Sequence, residues 1–260
     1  MSVSQAALFI AFLVRKGYKP ATVSTYVSAI GYVHKLKSLP DPTSSFLILQ
    51  ILRACHKNGS VTDTRLPIDR PMLGKLMGAL DHIADSKRDC VLFKAMFALA
   101  FHAFLRIGEI TVKRGALNPH LLQFSNLKMD KDQLVLSFSS YKHSQGRVFS
   151  IKIPASMPST SCALRALQEY LVVRGTSPGP LFLFSSKTAV SRMEFDRVLK
   201  RALIFNSVSP TFFKGHSFWI GAATAAAEAG LSDSRIRELG RWKSDAFKKY
   251  IRASLRTSAL

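Results

Sequence analysis

Acidic residues are scarce in this 260-residue chain. Sixteen Asp and Glu stand against 37 Lys and Arg, a formal net charge of +21 with a pI near 10.3. Such an imbalance points to a polyanionic partner, nucleic acid before a membrane surface or an acidic protein. Cysteine is scarce too. Cys55, Cys90 and Cys162 are widely separated and no CxxC pair occurs, which argues against a zinc module or a disulfide framework and for a reduced, intracellular compartment. Long apolar runs are missing. The uncharged stretch 95–105 has only 11 residues and contains His102, whereas a bilayer span needs about 20. No basic segment precedes the first apolar stretch, so a secretory signal is not expected. What remains, 47% hydrophobic and 20% charged residues, is the composition of a globular protein.

The positive charge is spread along the chain. Residues 1–60 carry seven Lys and Arg and one acid, and residues 61–260 carry 30 and 15. A lone basic tail would concentrate the excess, so both parts are expected to face the same polyanion. The first part reads as three short helices. One covers 7–14 and ends near Gly17. A second starts after Pro20 and places Val23, Tyr26, Val27, Ile30, Val33 and His34 on one face. A third runs over 46–56, capped by Ser44 or Ser45 and closed by Asn58-Gly59. The polar, aperiodic stretch 57–67 marks a linker, dividing the chain into domains 1–60 and 61–260.

The second part opens with apolar helices over 71–84 and 88–104. Strand candidates follow at 121–127, 133–138 and 147–153, the last two joined by the polar loop SSYKHSQGR. Helices return at 161–174 and 191–205, with a short strand at 181–184 between them. From His216 onward the chain reads as three helical pieces broken at Gly230 and Gly240. The fold class is therefore mainly α, with a small sheet.

Four local features carry chemistry. HAFLRIGEIT places Arg106 directly after an apolar helix with Glu109 three residues on. Lys142 lies in the basic loop between two strands. GHSFWIGAATAAAEAG sets His216 at a helix start. LGRWKSDAFKKYIR holds Trp242 and Tyr250. Each has a plain structural reading: an arginine capping a helix C-terminus, a solvated hairpin tip, a structural histidine, two core aromatics. Their order along one chain outweighs those separate readings.

Arg, Lys, His, Trp and Tyr in that order, with helices and a small sheet between them, resemble the tyrosine recombinase or phage integrase family. FLRIGEIT, GHSFWIGAAT and GLSDSRIRELGRWKSDAFKKYIR are closest in wording to the recombinases of eukaryotic retrotransposons and related mobile elements. The resemblance covers nearly the whole chain. It implies an N-terminal helical core-binding bundle and a helical catalytic domain that together clamp double-stranded DNA. A tyrosine hydroxyl then attacks a backbone phosphate, leaving a 3′-phosphotyrosine and a free 5′-hydroxyl, with no metal and no cofactor. The phosphorane is crowded and negatively charged, so fixed cations and donors suit it. By the resemblance Arg106 holds nonbridging oxygens, Lys142 protonates the departing 5′-oxygen and His216 assists proton transfer. Trp242 donates its indole N–H to phosphate, Tyr250 is the nucleophile and Glu109 orients its neighbours.

Two departures from the family pattern stand out. The second arginine belongs three residues after the motif histidine, where this chain has Trp219. Losing one fixed donor costs about 10²–10³ in rate, about 2.7–4 kcal/mol, so an impaired enzyme is expected. The alternative is a catalytically dead DNA-binding protein derived from a mobile element. A basic scaffold for RNA or protein is the reading from a different class. The other departure is that Trp242 and Tyr250 are eight residues apart, one fewer than in many bacterial members. The phosphate contacts are expected from Lys16, Lys19, Lys35 and Lys37 in the first domain and from Arg147, Lys152, Lys214, Arg241 and Lys243 in the second. The resemblance further implies a tetramer on DNA and, for a eukaryotic source, nuclear residence.

Overall fold

The computed structural model describes residues 1–58, 64–113, 118–130, 132–139, 148–154 and 161–252. The chain divides into two compact units, Met1–Asp63 and Thr64–Leu260.

The first unit holds three helices: α1 (Val3–Arg15), α2 (Pro20–Leu36) and α3 (Phe46–Asn58). Ser2 and Gln5 form a reciprocal capping box at the start of α1. The small core consists of Ala6, Ile10, Leu13, Val23, Val27 and Ile48. On α2 the buried stripe is Val23, Val27, Gly31 and His34, narrower than the expected face. Tyr26 is 45% exposed and Val33 is exposed too. The Tyr26 ring instead meets the edges of Tyr18 at 5.9 Å and Phe9 at 6.4 Å. The stripe can tilt toward Gly31 because the turn at Asp41–Thr43 packs directly on it. A Cβ at residue 31 would meet Thr43 Oγ1 at 2.5 Å.

The second unit is built around α5 (Lys87–His102), whose residues from Leu92 to Phe101 are nearly all buried. Around it lie α4 (Arg70–Ile83), α7 (Ala163–Arg174), α8 (Arg192–Phe205) and α9 (His216–Glu228). Phe97, Phe195 and Phe218 interlock at centroid distances of 5.1–5.8 Å. Helix α5 stops two residues short of the expected end, because Phe104 adopts φ +49° and turns the chain into the one-turn α6 (Ile107–Ile110).

The antiparallel sheet has the order β1 (Leu127–Met129), β2 (Gln133–Phe138), β3 (Phe149–Pro154). Leu134 faces Ile153 and Leu136 faces Ile151, so the period-2 apolar face of β2 is buried. Two strand expectations are corrected. Residues 121–126 are not strand: Asn126 Oδ1 accepts from the Gln123 N–H at 2.8 Å and closes a 3₁₀ turn before β1. Residues 181–184 do not form a ladder either: Leu183 makes a single antiparallel bridge to Ala189, and side chains take the Leu181 and Leu183 carbonyls. Tyr170 Oη reaches Leu181 O and Leu183 O, and Arg174 Nε donates to Leu181 O at 2.8 Å.

Candidate active site

Three separate stretches of the second unit converge on one cluster. Arg106 precedes α6, His216 opens α9, and Tyr250 follows a 3₁₀ turn at Asp245–Lys249 beyond the short α10 (Asp233–Leu239). Close approach at Gly215 brings the first two together: a Cβ there would meet Ile107 Cγ1 at 2.5 Å. The buried Phe247 anchors the turn that presents Tyr250.

Arg106 is held from several sides. Its backbone N–H donates to Glu109 Oε2 at 2.9 Å, Nη1 to Glu109 Oε1 at 3.4 Å and Nη2 to Gly240 O at 3.2 Å. Its guanidinium carbon lies 5.0 Å from the Trp219 ring centroid, within cation–π range. Glu109 is buried and also accepts from Arg241 Nη2 at 2.6 Å. The carboxylate therefore ties two arginines that are far apart in sequence.

The other side of the cluster is aromatic. His216 lies 4.7 Å from Trp219 and 5.2 Å from Tyr250, the latter edge-on at 74°. Trp219 lies 4.9 Å from Tyr250 and stacks on Trp242 at 4.1 Å with a 30° tilt. Trp219 is 3% exposed, filling the space between the Arg106 guanidinium and the Tyr250 ring. The indole N–H of Trp242, expected to reach a phosphate, is buried, as is that of Trp219. Neither has a hydrogen-bond partner among the described residues.

The LGRW motif now has a physical account. A Cβ at Gly240 would lie 1.4 Å from Trp242 Cζ3, so only glycine lets the indole fold back over the helix end. Arg241 then takes the left-handed backbone, φ +56°. That sends its side chain inward, where it is 1% exposed, donates to Phe104 O at 3.1 Å and lies 4.4 Å from the Phe138 centroid. This corrects its expected place among the phosphate contacts: Arg241 is a buried partner of Glu109. It stands nine residues before Tyr250, yet Trp242 is the residue whose ring meets Trp219 and Tyr250.

Lys214 and Lys243 are exposed near the cluster in sequence, and Lys152 is exposed on β3. Lys142 and Arg147 lie outside the described residues. In the first unit Lys16 caps the end of α1 and Lys19 the start of α2, and Lys35 and Lys37 stand at the end of α2. They form two exposed groups about 25 Å apart along a 17-residue helix, with Lys35 3.5 Å from Asp41. Sequence reasoning missed Thr224, which is buried on α9 and bonded to the Tyr250 segment. Its only signal was a polar residue in an otherwise apolar Ala-rich run. Among the described residues no group of His, Cys, Asp and Glu is arranged to hold a metal ion, and no helix is long and apolar enough to cross a membrane.

No protein-family model matches the chain, and no curated protein is similar to it at a significant level. Solved structures are similar. The XerH site-specific recombinase bound to a palindromic difH substrate in a post-cleavage complex matches with TM-score 0.63 at 12% identity, over 98% of this chain and 67% of that one. A lambda integrase dimer bound to a COC′ core site matches with TM-score 0.60 at 16% identity, over 98% and 66%. The Tn1549 transposon integrase in complex with circular intermediate DNA matches with TM-score 0.65 at 12% identity, over 98% and 82%. The chain thus spans about two thirds of the length of the first two. At these identities the likeness is one of fold: mainly helical with a small three-stranded antiparallel sheet, the fold of the tyrosine recombinase catalytic domain.

Proposed function

We propose that this protein binds double-stranded DNA as a tyrosine recombinase whose strand cleavage and rejoining are severely impaired by Trp219. The observation that carries the reading is the convergence of Arg106, His216 and Tyr250 from three distant stretches, with the His216 and Tyr250 rings 5.2 Å apart. Chance packing has no reason to gather an anion-binding fork, a proton acceptor and a phenol.

In the reaction the Tyr250 oxygen attacks phosphorus, and the bond from phosphorus to the 5′-oxygen breaks. His216 takes up the phenolic proton and Lys142 supplies one to the departing oxygen. A second 5′-hydroxyl reverses these steps, so the phosphoester energy is retained. Arg106 is the fixed cation for the nonbridging oxygens. Trp219 stands where a second cation would be, and its indole brings no charge. The burial of Trp219 and its stack on Trp242 favour a second reading, in which the chain keeps the DNA clamp and has lost the chemistry. The motif wording further supports descent from a eukaryotic mobile element, and with it nuclear residence. Assembly as a tetramer on two duplexes follows from the same resemblance.

A nicked suicide duplex carrying the element's terminal sequence tests the reading, because its cut strand diffuses away and prevents rejoining. Three proteins are compared for an adduct that survives denaturant: the chain itself, Trp219→Arg, and Trp219→Arg with Tyr250→Phe. The fold of each is checked by circular dichroism. An adduct from Trp219→Arg alone, abolished by Tyr250→Phe, supports an impaired recombinase. An adduct from the chain itself at a comparable rate refutes the impairment. No adduct from any protein that still binds the duplex leaves the noncatalytic DNA binder.

A further inference from the structure

Locally, the Tyr250 N–H donates to Phe247 O at 2.8 Å. The residue follows a five-residue 3₁₀ turn, Asp245–Lys249, a geometry with weaker hydrogen bonds than an α-helix. Residues 251 and 252 after it belong to no helix or strand. A second fixing point, distant in sequence, comes from α9. Thr224 is buried there, and its hydroxyl donates to Tyr250 O at 3.4 Å while accepting from the Arg252 N–H at 3.1 Å. A threonine within a helix ordinarily turns its hydroxyl back to a carbonyl of its own preceding turn. Here the one hydroxyl proton is committed outward, and the oxygen closes a tie across Ile251.

Helix α9 therefore meets residue 250 at two levels. His216 and Trp219 touch the phenol ring at 5.2 and 4.9 Å. Thr224 holds the main chain from eight residues further along the same rigid helix, about 12 Å by the helical rise. Val would keep the shape and lose the tie, whereas Ser would keep the tie and lose a methyl. The β-branched side chain has few χ1 choices, so the hydroxyl is set before the segment docks.

We infer that Thr224 is a positioning residue, which keys the Tyr250 segment to α9 and so sets the phenol against His216. This rests on Tyr250 as the nucleophile of the proposed reaction, while the positioning itself has a readout independent of cleavage. The chain is labelled with 3-fluorotyrosine and the residue-250 resonance is assigned by its loss in Tyr250→Phe. Thr224→Val is expected to shift and broaden that resonance, and Thr224→Ser to restore it. In the Trp219→Arg background on the suicide duplex, Thr224→Val is expected to slow adduct formation by roughly 10- to 100-fold, the scale of a 1 Å misplacement. DNA affinity should be unchanged and Thr224→Ser should recover the rate. If Thr224→Val does not fold, Thr224→Ala takes its place.

An unmoved resonance in the hydroxyl-lacking variant overturns the inference. So does a serine variant as defective as valine, which would place the effect in the methyl packing. If no Trp219→Arg protein forms an adduct, the recombinase reading fails, and the resonance alone decides the role of Thr224.

Discussion

Glu109 accepts from the Arg241 guanidinium at 2.6 Å, and both side chains are almost completely withdrawn from water. The same carboxylate receives the Arg106 backbone N–H and, more loosely, its Nη1. Arg241 thus supplies the close counter-charge to Glu109. The triad of two arginines and one carboxylate keeps one positive charge in excess, and Arg106, the more accessible arginine at 22% exposure, is placed to present it. In the proposed reaction, a phosphate needs that residual charge more than it needs a neutral pair.

Neutralising Glu109 should expose this arrangement. Glu109→Gln leaves Arg241 charged and buried without its partner, a situation that costs about 3–5 kcal/mol. Trp219 and Trp242 are the only tryptophans of the chain and both lie in the second unit, so tryptophan fluorescence in urea follows that unit alone. The expected result is a strongly lowered midpoint for Glu109→Gln, and a smaller loss for the double variant Glu109→Leu with Arg241→Met. A loss under about 1 kcal/mol for Glu109→Gln would put the pair in the class of surface ion pairs and contradict its burial.

The stacked tryptophans are also a spectroscopic feature. At 4.1 Å and 30° the Trp219 and Trp242 indoles should give coupled near-ultraviolet circular dichroism. Trp219→Phe and Trp242→Phe should each remove that signal, with far-ultraviolet spectra unchanged. Trp219→Ala should destabilise the second unit by about 3–5 kcal/mol, the range for a large aromatic deleted from a core. Retention of the coupled signal in either phenylalanine variant would show that the two rings do not stack.

If the chain binds DNA as proposed, that binding should separate exposed cations from buried ones. If six to ten phosphates are neutralised, affinity should fall about 10³- to 10⁵-fold between 50 and 200 mM salt. Lys214→Ala and Lys243→Ala, at exposed positions, should each flatten the salt slope by about one. The inward-facing Arg241 should not contribute to that slope, so a folded Arg241→Met keeps it. Fluorescence anisotropy on one duplex across a salt series measures all three. An equally flattened slope for Arg241→Met would place its guanidinium on DNA.

Much of the fold was legible because it follows local rules. Pro20 marks the start of α2, and the stretches read as helices over 71–84, 88–104 and 191–205 fall within two residues of the observed bounds of α4, α5 and α8. The false strand at 181–184 arose because an apolar run reads alike whether strands or side chains satisfy its backbone. Tyr170 and Arg174, brought over by α7, reach the Leu181 and Leu183 carbonyls, while other main-chain groups of the stretch pair one at a time with Leu122, Thr188 and Val190. At the site, Arg106, His216 and Tyr250 were readable from motif order. The direction of Arg241 was not, because it depends on a left-handed backbone forced by the Trp242 indole folding over Gly240. Thr224 was equally hidden, since its partners are backbone atoms 26 and 28 residues away.

Acid should weaken the second unit through His102. This residue ends α5, four positions before Arg106, and its Nε2–H donates to Ser161 O at 2.9 Å. Burial is the main cause that pushes its pKa down, from 6.5 to about 4, and the nearby Arg70 adds to the effect. The folded unit therefore holds His102 neutral, while the unfolded chain takes up a proton near pH 6.5. Between those two values the unfolded state binds more protons, so stability is full above about 6.5 and is lost progressively as the pH falls toward 4. The loss is about 1.4 kcal/mol per pH unit for one such group, about 3 kcal/mol over the window. His102→Gln keeps a neutral donor for Ser161 and removes the titration. Urea midpoints followed by tryptophan fluorescence should nearly coincide for the two proteins at pH 7.5. They should diverge below pH 6, with the glutamine variant losing less stability. Parallel curves down to pH 4 would mean that His102 titrates as it does in the unfolded chain, and that the end of α5 is open to water.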